Sequence, residues 1–186
     1  MNKKAQVWVE TVIYTLIALV MIGAVLTFVR PKIQEIQDKT LLDQTIEVMK
    51  GIDETVKLVV NTGAGNKKIV EFTLKRGELL LDCENNNMKY ILEETKLIYS
   101  EQCIKETCLE EDWVSIGNIK ALTKKNGKLN IVTLKIEYPA TIDLLCENAN
   151  ELKTIEKSAT PYKLSIENKG ASSAGAAQEI NLEIIS

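Results

Sequence analysis

Few residues in this chain combine a type and a spacing that could carry out chemistry. The sequence contains four cysteines, Cys83, Cys103, Cys108 and Cys146, and no histidine. Histidine is the usual general base near neutral pH and the commonest metal ligand, and a catalytic thiol needs an adjacent base to activate it. We therefore expect no enzyme activity, no catalytic residue and no cofactor.

The cysteines are better explained as disulfides than as metal ligands. Their even number favours disulfides, which persist outside the cytoplasm. Four cysteines allow three pairings, and the sequence does not decide among them. We favour Cys103 with Cys108, which closes a short loop, and Cys83 with Cys146, which flank predicted strand ends. A four-cysteine zinc site is the alternative, but the sequence has no Cys-x-x-Cys pair, so we predict no bound metal.

The carboxylate of Glu10 occupies an unusual position. It lies at the start of an apolar run, and no residue in 11–29 is charged. A helix over 11–29 is about 28 Å long, which matches the roughly 30 Å hydrocarbon core of a bilayer. We predict a membrane span over residues 7–29. An acidic group near the middle of a span costs about 2.5 kcal/mol or more, so Glu10 is a candidate functional residue.

The residues before the apolar run distinguish among three kinds of membrane segment. A secretory signal peptide has a shorter apolar region and a small-residue cleavage site after it, which Gly23-Ala24 does not convincingly provide. A plain single-span anchor leaves Glu10 unexplained. The order Lys4-Ala5-Gln6, with Glu10 four residues later, resembles the class III signal peptide of archaeal type IV pilin-like proteins, the family of pilins and archaellins.

The resemblance implies a leader over residues 1–5, cut between Ala5 and Gln6, which makes Glu10 the fifth residue of the mature chain. The cut creates an α-amino group with a reference pKa of about 7.7–8.0, so it is largely protonated. A neighbouring subunit could set this amine against Glu10, and deleting one partner of such a buried pair costs roughly 3–5 kcal/mol. The alternative is that Glu10 simply reaches the lipid headgroups.

A helical repeat of apolar residues continues beyond the predicted span. It ends where Gly63 and Gly65 follow, so we predict one N-terminal helix over residues 6–60, apolar first and amphipathic afterwards. Proline removes a backbone donor, and Pro31 therefore predicts a kink. The apolar positions of the amphipathic part recur at steps that include three and four residues: Ile33, Ile36, Leu42, Ile46, Met49, Ile52, Val56 and Val59. Small residues in the apolar part would allow close helix approach; these are Ala18, Gly23 and Ala24.

Residues 66–186 change to the two-residue alternation of β-strands. Asn126-Gly127 between two alternating runs is a strong hairpin signal, and turns are also expected at Arg76-Gly77 and at residues 85–87. Residues 168–177 are small and polar and predict a flexible loop or hairpin tip. About eight strands are expected. The predicted fold class is α+β, a long N-terminal hydrophobic α-helix followed by an antiparallel β-sandwich-like head.

Two acidic clusters could hold calcium but lack the spacing of a calcium loop. These are Asp53-Glu54 and residues 109–113. We interpret both as solvated acidic surface, and Trp113 as part of the head core.

Charge and resemblance together give the functional expectation. The net charge is −3, and loss of Lys3 and Lys4 with the leader leaves 21 basic against 26 acidic residues, which argues against nucleic acid. The resemblance implies a structural subunit of an extracellular adhesive filament. The chain would be held in the cytoplasmic membrane with its head outside and then assembled with identical subunits on the cell surface. A prepilin peptidase, an assembly ATPase and a membrane platform protein are the implied partners.

Two alternatives remain open from the sequence. The chain could be a minor pseudopilin of a secretion or assembly machine, which shares the signal but does not form the bulk of a fibre. It could also be an uncleaved, single-span membrane-anchored binding domain. An archaellin is a variant of the filament prediction, and Pro31 makes it the less favoured one.

Overall fold

The computed structural model describes residues 3–104, 108–173 and 175–185, with side chains described from residue 8 onward. Helix α1 spans Lys3–Thr62, longer by two residues at its carboxyl end than the predicted helix. Two compact units divide between Gln37 and Asp38. Among the described residues, the first unit consists of α1 up to Gln37, and the second contains the rest of α1 and the β-strands.

Pro31 lies inside α1, and helix is assigned on both sides of it. Proline cannot donate the hydrogen bond that the carbonyl of residue i−4, here Thr27, receives in a regular helix. The helix is nevertheless assigned without a break through this position, and a bend of its axis at Pro31 stays a prediction.

The second unit contains eleven strands among the described residues, three more than expected. The additional ones are short. The strands are β1 (Lys67–Phe72), β2 (Glu78–Asp82), β3 (Asn87–Thr95), β4 (Gln102–Cys103), β5 (Val114–Ile116), β6 (Ile119–Asn126), β7 (Leu129–Glu137), β8 (Ile142–Cys146), β9 (Leu152–Ile155), β10 (Tyr162–Ala171) and β11 (Gln178–Ile185). A short 3₁₀ turn over Glu110–Asp112 precedes β5.

Within the described residues the strands form two mostly antiparallel sheets. The smaller has the order β1-β10-β11-β8, and the larger has the order β4-β6-β7-β3-β2-β9 with β5 paired to β6. The predicted hairpin at Asn126-Gly127 is confirmed, since β6 and β7 pair antiparallel across it. Two pairs, β8 with β11 and β4 with β6, are parallel and depart from the antiparallel expectation.

The two strands on either side of Arg76-Gly77 exist but do not pair with each other. Strand β1 pairs with β10 in the smaller sheet, and β2 pairs with β3 and β9 in the larger one. Gly77 has a positive φ of 76°, and a Cβ there would lie 2.5 Å from the carbonyl oxygen of Ile91. The chain therefore needs glycine where it crosses from one sheet to the other.

One hydrophobic core is shared by α1 and both sheets. Each fully buried aliphatic side chain contributes about 1.5–3 kcal/mol, so this face of α1 holds the helix in the second unit. Six of the eight residues that the helical spacing predicted on one apolar face are buried in this core: Leu42, Ile46, Met49, Ile52, Val56 and Val59. The other two, Ile33 and Ile36, lie in the first unit and are exposed.

Side-chain links also join the two sheets. Cys83, directly after β2, is disulfide-bonded to Cys146 at the end of β8. Asn86 donates from its side-chain amide to the Ile142 carbonyl at 2.5 Å and accepts from the Leu144 amide at 3.0 Å. The Asn86 side chain thereby occupies backbone groups at the edge of β8, which protects that edge from pairing with another strand.

Asn168 of the smaller sheet forms hydrogen bonds with the end of α1 and with the residues that follow it. Its buried side-chain amide donates to the carbonyl of Val59 at 3.1 Å, and this carbonyl, in the last turn of the helix, also accepts from the Thr62 hydroxyl at 3.2 Å. The Gly65 amide donates to the Asn168 carbonyl at 2.7 Å. The predicted loop over 168–177 is thus wrong in part, because β10 continues to Ala171; Ala174 lies outside the described residues.

Candidate functional site

The apolar segment of α1, defined as residues 8–29, is not covered by any other described part of the chain. All its described side chains are exposed, including Val20 at 72% and Phe28 at 78%. By length and composition α1 could cross a membrane, and its apolar N-terminal part could anchor the chain there. A helix that is apolar on every side is stable only when lipid or other apolar surfaces surround it.

Glu10 lies on this exposed segment with one neutral donor beside it. The Tyr14 hydroxyl, one turn further along, donates to Glu10 Oε1 at 3.4 Å. Thr15 does not compete, because its hydroxyl donates to the carbonyls of Thr11 and Val12. The spacing of four residues between Glu10 and Tyr14 is the sequence signal for this pair, which is not among the predictions made above.

The predicted leader residues lie outside the described side chains. Lys4, Ala5 and Gln6 fall within the backbone of α1, but their side chains are not among those described. Cleavage between Ala5 and Gln6 therefore stays a prediction, as does the role of Gln6 in assembly.

The small residues of the apolar segment are exposed. Ala18, Gly23 and Ala24 are all solvent-exposed in the described structure. A Cβ built on Gly23 would meet no atom within 4 Å. The single chain thus does not need glycine at this position, and the absent side chain leaves room for a neighbouring helix to approach.

A partly buried ion pair links α1 to the segment before β2 and to strand β3. The carboxylate of Asp38 contacts the Arg76 guanidinium and accepts a hydrogen bond from the Thr95 hydroxyl at 2.6 Å. Arg76 also donates to the carbonyls of Glu93 and Glu94, at 3.2 and 2.9 Å. The guanidinium thus joins three segments at the place where α1 enters the second unit.

Asp53 is not part of a solvated acidic surface, and that expectation is wrong for this residue. Its side chain is buried, forms an ion pair with Lys57 at 2.7 Å and accepts from the Asn118 amide at 3.1 Å. Trp113 is only half-buried and does not belong to the core cluster. Its expected place in the core is therefore also wrong.

Two other carboxylates are held ionised by lysines. Hydrogen bonds from Lys120 and Lys135 lower the pKa of Glu137 to about 2. Burial pushes the pKa of Asp82 upward, but hydrogen bonds from Lys89 and Asn85 outweigh it and leave that pKa below its ordinary value. Both carboxylates serve to connect strands of the larger sheet.

The cysteines are disulfide-bonded in the pairing favoured above. Cys83 bonds to Cys146 and Cys103 bonds to Cys108. Asp112 lies near the second disulfide, with all three potential ligand atoms within 4.8 Å of one another. Because both sulfurs are in a disulfide, neither is a thiolate that could hold a metal, and Asp112 accepts from the Leu109 amide at 2.7 Å.

Comparison with known proteins does not assign the chain to a group. No protein-family profile matches it. No curated protein matches it, and no solved structure matches it. The architecture, a long apolar N-terminal helix followed by a β-sheet domain, agrees with a pilin-like arrangement.

Proposed function

We propose that this chain is a structural subunit of an extracellular type IV pilus-like filament that polymerises through the apolar segment of α1 after its leader is cleaved. The observation that carries the proposal is that this segment, long enough to cross a bilayer, is exposed along its whole described length. Such a surface needs either lipid or copies of itself. The filament provides both in turn, lipid before assembly and neighbouring helices afterwards.

Glu10 supports the proposal by a second, electrostatic argument. A carboxylate in an apolar bundle is costly unless a cation lies beside it. Cleavage before Gln6 would create such a cation at the end of each subunit, one helical turn from Glu10. In the filament, the amine of one copy neutralises Glu10 of another, so that correct stacking is favoured over a random bundle.

The small side chains support close packing between subunits. Ala18, Gly23 and Ala24 leave space on the exposed segment, and small residues allow helix backbones to approach each other in apolar surroundings. Because hydrophobic burial gives no net advantage when a helix moves from lipid to an apolar bundle, close packing and the charge pair supply the preference for the assembled state.

The resemblance of residues 4–10 to a class III signal peptide supplies the cellular setting. A prepilin peptidase would remove the leader, and an assembly ATPase with a membrane platform protein would extract the subunit from the cytoplasmic membrane. The second unit, with its disulfides, would lie outside the cell. We propose adhesion as the role of the filament.

Intact-mass measurement and amino-terminal sequencing of protein isolated from native membranes test this proposal together with electron microscopy of the same material. The expected result is a chain that begins at Gln6 and is found in filaments with helical symmetry. A chain that retains residues 1–5 and stays monomeric in the membrane would overturn the proposal in favour of an anchored binding domain. A cleaved chain that is only a trace component of filaments would indicate a minor pseudopilin instead.

A further inference from the structure

A cleft of about 430 Å³ lies in the second unit between α1 and the end of β7. Its polar lining residues are Asp53, Lys57 and Asn61 of α1, Asn118 of the β5–β6 turn, Glu137 at the end of β7, and Tyr138. Its apolar wall is formed by Val60, Ile136, Pro139 and Ile142. The volume falls within the roughly 300–1,000 Å³ that small-molecule sites occupy.

The hydroxyl of Tyr138 has no hydrogen-bond partner among the described residues, although the residue is only 9% exposed. The hydroxyl itself is not among the fully enclosed polar atoms of the described residues, so solvent or a ligand can reach it. Burial, with a smaller contribution from the Asp53 carboxylate, raises the pKa of Tyr138. The phenol therefore keeps its proton and can both donate and accept a hydrogen bond within the cleft.

Asp53 offers one oxygen to the same cleft. Lys57 and Asn118 both donate to Oδ2, and no hydrogen bond from the described residues reaches Oδ1. The protein does not fully enclose the Oδ1 atom of Asp53, so solvent or a ligand can reach it. The amide of Asn61, at the exposed rim, likewise makes no side-chain hydrogen bond within the described part of the chain.

The charges in the cleft are balanced and do not select an ion. The Asp53 carboxylate is paired with Lys57, and the Glu137 carboxylate is paired with Lys120 and Lys135. A ligand would thus meet donors and acceptors in a nearly neutral site with an apolar wall beside them. A hydroxyl group can both donate and accept a hydrogen bond, so the hydroxyls of a sugar match these donors and acceptors. The ring carbons of a sugar can pack against the apolar wall.

We propose that this cleft binds a neutral, polyhydroxylated ligand, a single sugar unit, with Tyr138, Asp53 Oδ1 and Asn61 as its hydrogen-bonding groups. The proposal goes beyond the filament function and does not depend on it, because every residue of the cleft lies in the second unit. In a filament, each subunit would present one such site on its head.

Saturation-transfer NMR titration of the full chain tests the proposal. The protein is held in micelles of a zwitterionic detergent, since a detergent with a sugar headgroup would compete. Glucose, galactose, mannose and N-acetylglucosamine are the probes. We expect saturable binding of at least one of them with a Kd on the order of 1 mM, a weak affinity that few hydrogen bonds provide.

Tyr138→Phe is the decisive variant, because the hydroxyl it removes has no partner within the described protein and the fold does not need it. We expect binding to weaken by about fivefold to tenfold, with the urea midpoint unchanged or slightly raised. Asn61→Ala, at the exposed rim, should weaken binding by a smaller factor. Tyr162→Phe is the matched control, since Tyr162 lies on β10 outside the cleft, and it should leave binding unchanged.

Three results would overturn the proposal. The first is the absence of saturable binding for all four sugars. The second is equal affinity of the wild type and Tyr138→Phe for the sugar that binds. The third is tighter binding of a small anion such as acetate than of any sugar. None of these results bears on leader cleavage or filament formation, so failure here and failure of the filament proposal are distinguishable.

Discussion

Cys83 follows β2 in the larger sheet and is bonded to Cys146 at the end of β8 in the smaller sheet, 63 positions later in the chain. Both residues are almost completely buried. The other disulfide, Cys103–Cys108, closes a loop of sequence separation 5 and joins no second sheet. The two bonds therefore constrain the unfolded chain to very different degrees.

Removing the long-range disulfide should destabilise the second unit more than removing the short one. Loop-closure entropy predicts a loss of about 4 kcal/mol for Cys83→Ala/Cys146→Ala and about 2 kcal/mol for Cys103→Ala/Cys108→Ala. The measurement is urea unfolding of the full chain in micelles, followed by circular dichroism. Equal losses for the two double variants would contradict the prediction, as would an unfolding midpoint of the wild type that a reducing agent does not change.

Arg76→Met should destabilise the second unit, because it leaves the buried Asp38 carboxylate with only the Thr95 hydroxyl as a partner in the described structure. A fully buried pair would lose roughly 3–5 kcal/mol. Arg76 is 39% exposed, so water can reach the site, and we expect about 2 kcal/mol. Urea unfolding measures this loss.

Two further variants separate the charge of Asp38 from general packing. Asp38→Asn in the Arg76→Met background should recover part of the stability, since it removes the unpaired charge. Lys153→Met breaks the exposed pair with Glu147 and should cost less than about 0.5 kcal/mol. If Lys153→Met were as harmful as Arg76→Met, burial would not be the cause of the difference.

Local sequence patterns predicted the helix and the strands of this fold better than they predicted which strands pair with each other. The spacing from Leu42 to Val59 identified the buried face of α1, Gly63 and Gly65 marked its end to within a few residues, and Asn126-Gly127 identified the β6–β7 hairpin. Each of these signals acts between residues close in the chain. Turn chemistry and periodicity are sufficient to read them.

The parts that the sequence did not predict depend on contacts between distant residues. No local sequence signal predicts that the chain passes from the smaller to the larger sheet at Arg76-Gly77. No such signal predicts that β8 pairs parallel to β11 either. Strands β4, β5 and β9 are too short for an alternation to be recognised. Asp53 looked like a solvated acid because its partner Asn118 is 65 positions away, and the cleft beside it is formed only when α1 meets β7.

Acid should remove a small part of the stability through Glu137. Hydrogen bonds from Lys120 and Lys135 lower its folded-state pKa from 4.5 to about 2. A lowered pKa contributes stability that is present above about pH 4.5 and is lost as the pH falls toward 2. The side chain is 43% exposed, so solvent screening limits the contribution to about 1 kcal/mol or less.

Urea unfolding at pH 6 and pH 3 measures this effect in the wild type and in Glu137→Gln. The variant should lose less stability between the two pH values than the wild type does, because it lacks the titrating group, whereas Asp82 titrates in both proteins. Glu84→Gln is the control, since Glu84 is exposed and has no ion pair among the described residues; it should follow the wild type. An identical pH dependence of Glu137→Gln and wild type would contradict the prediction.

Glu10→Gln should leave leader cleavage largely intact and impair filament assembly. The substitution keeps the size and the ability to accept a hydrogen bond from Tyr14, but it removes the charge that the proposed pairing requires. The neutral side chain is also easier to hold in lipid, where a central acidic group costs about 2.5 kcal/mol or more. We therefore expect the variant to accumulate in the membrane as a processed subunit.

Intact mass of the membrane fraction and the yield of sheared filaments measure the two steps separately. Glu47→Gln is the matched control, because Glu47 lies on the exposed side of α1 in the second unit, and it should assemble normally. Glu10→Ala should behave like Glu10→Gln if charge is decisive. Normal filament yield from both Glu10 variants would show that the amine of a neighbouring copy does not need this carboxylate, and only packing of the exposed segment would then be left to drive assembly.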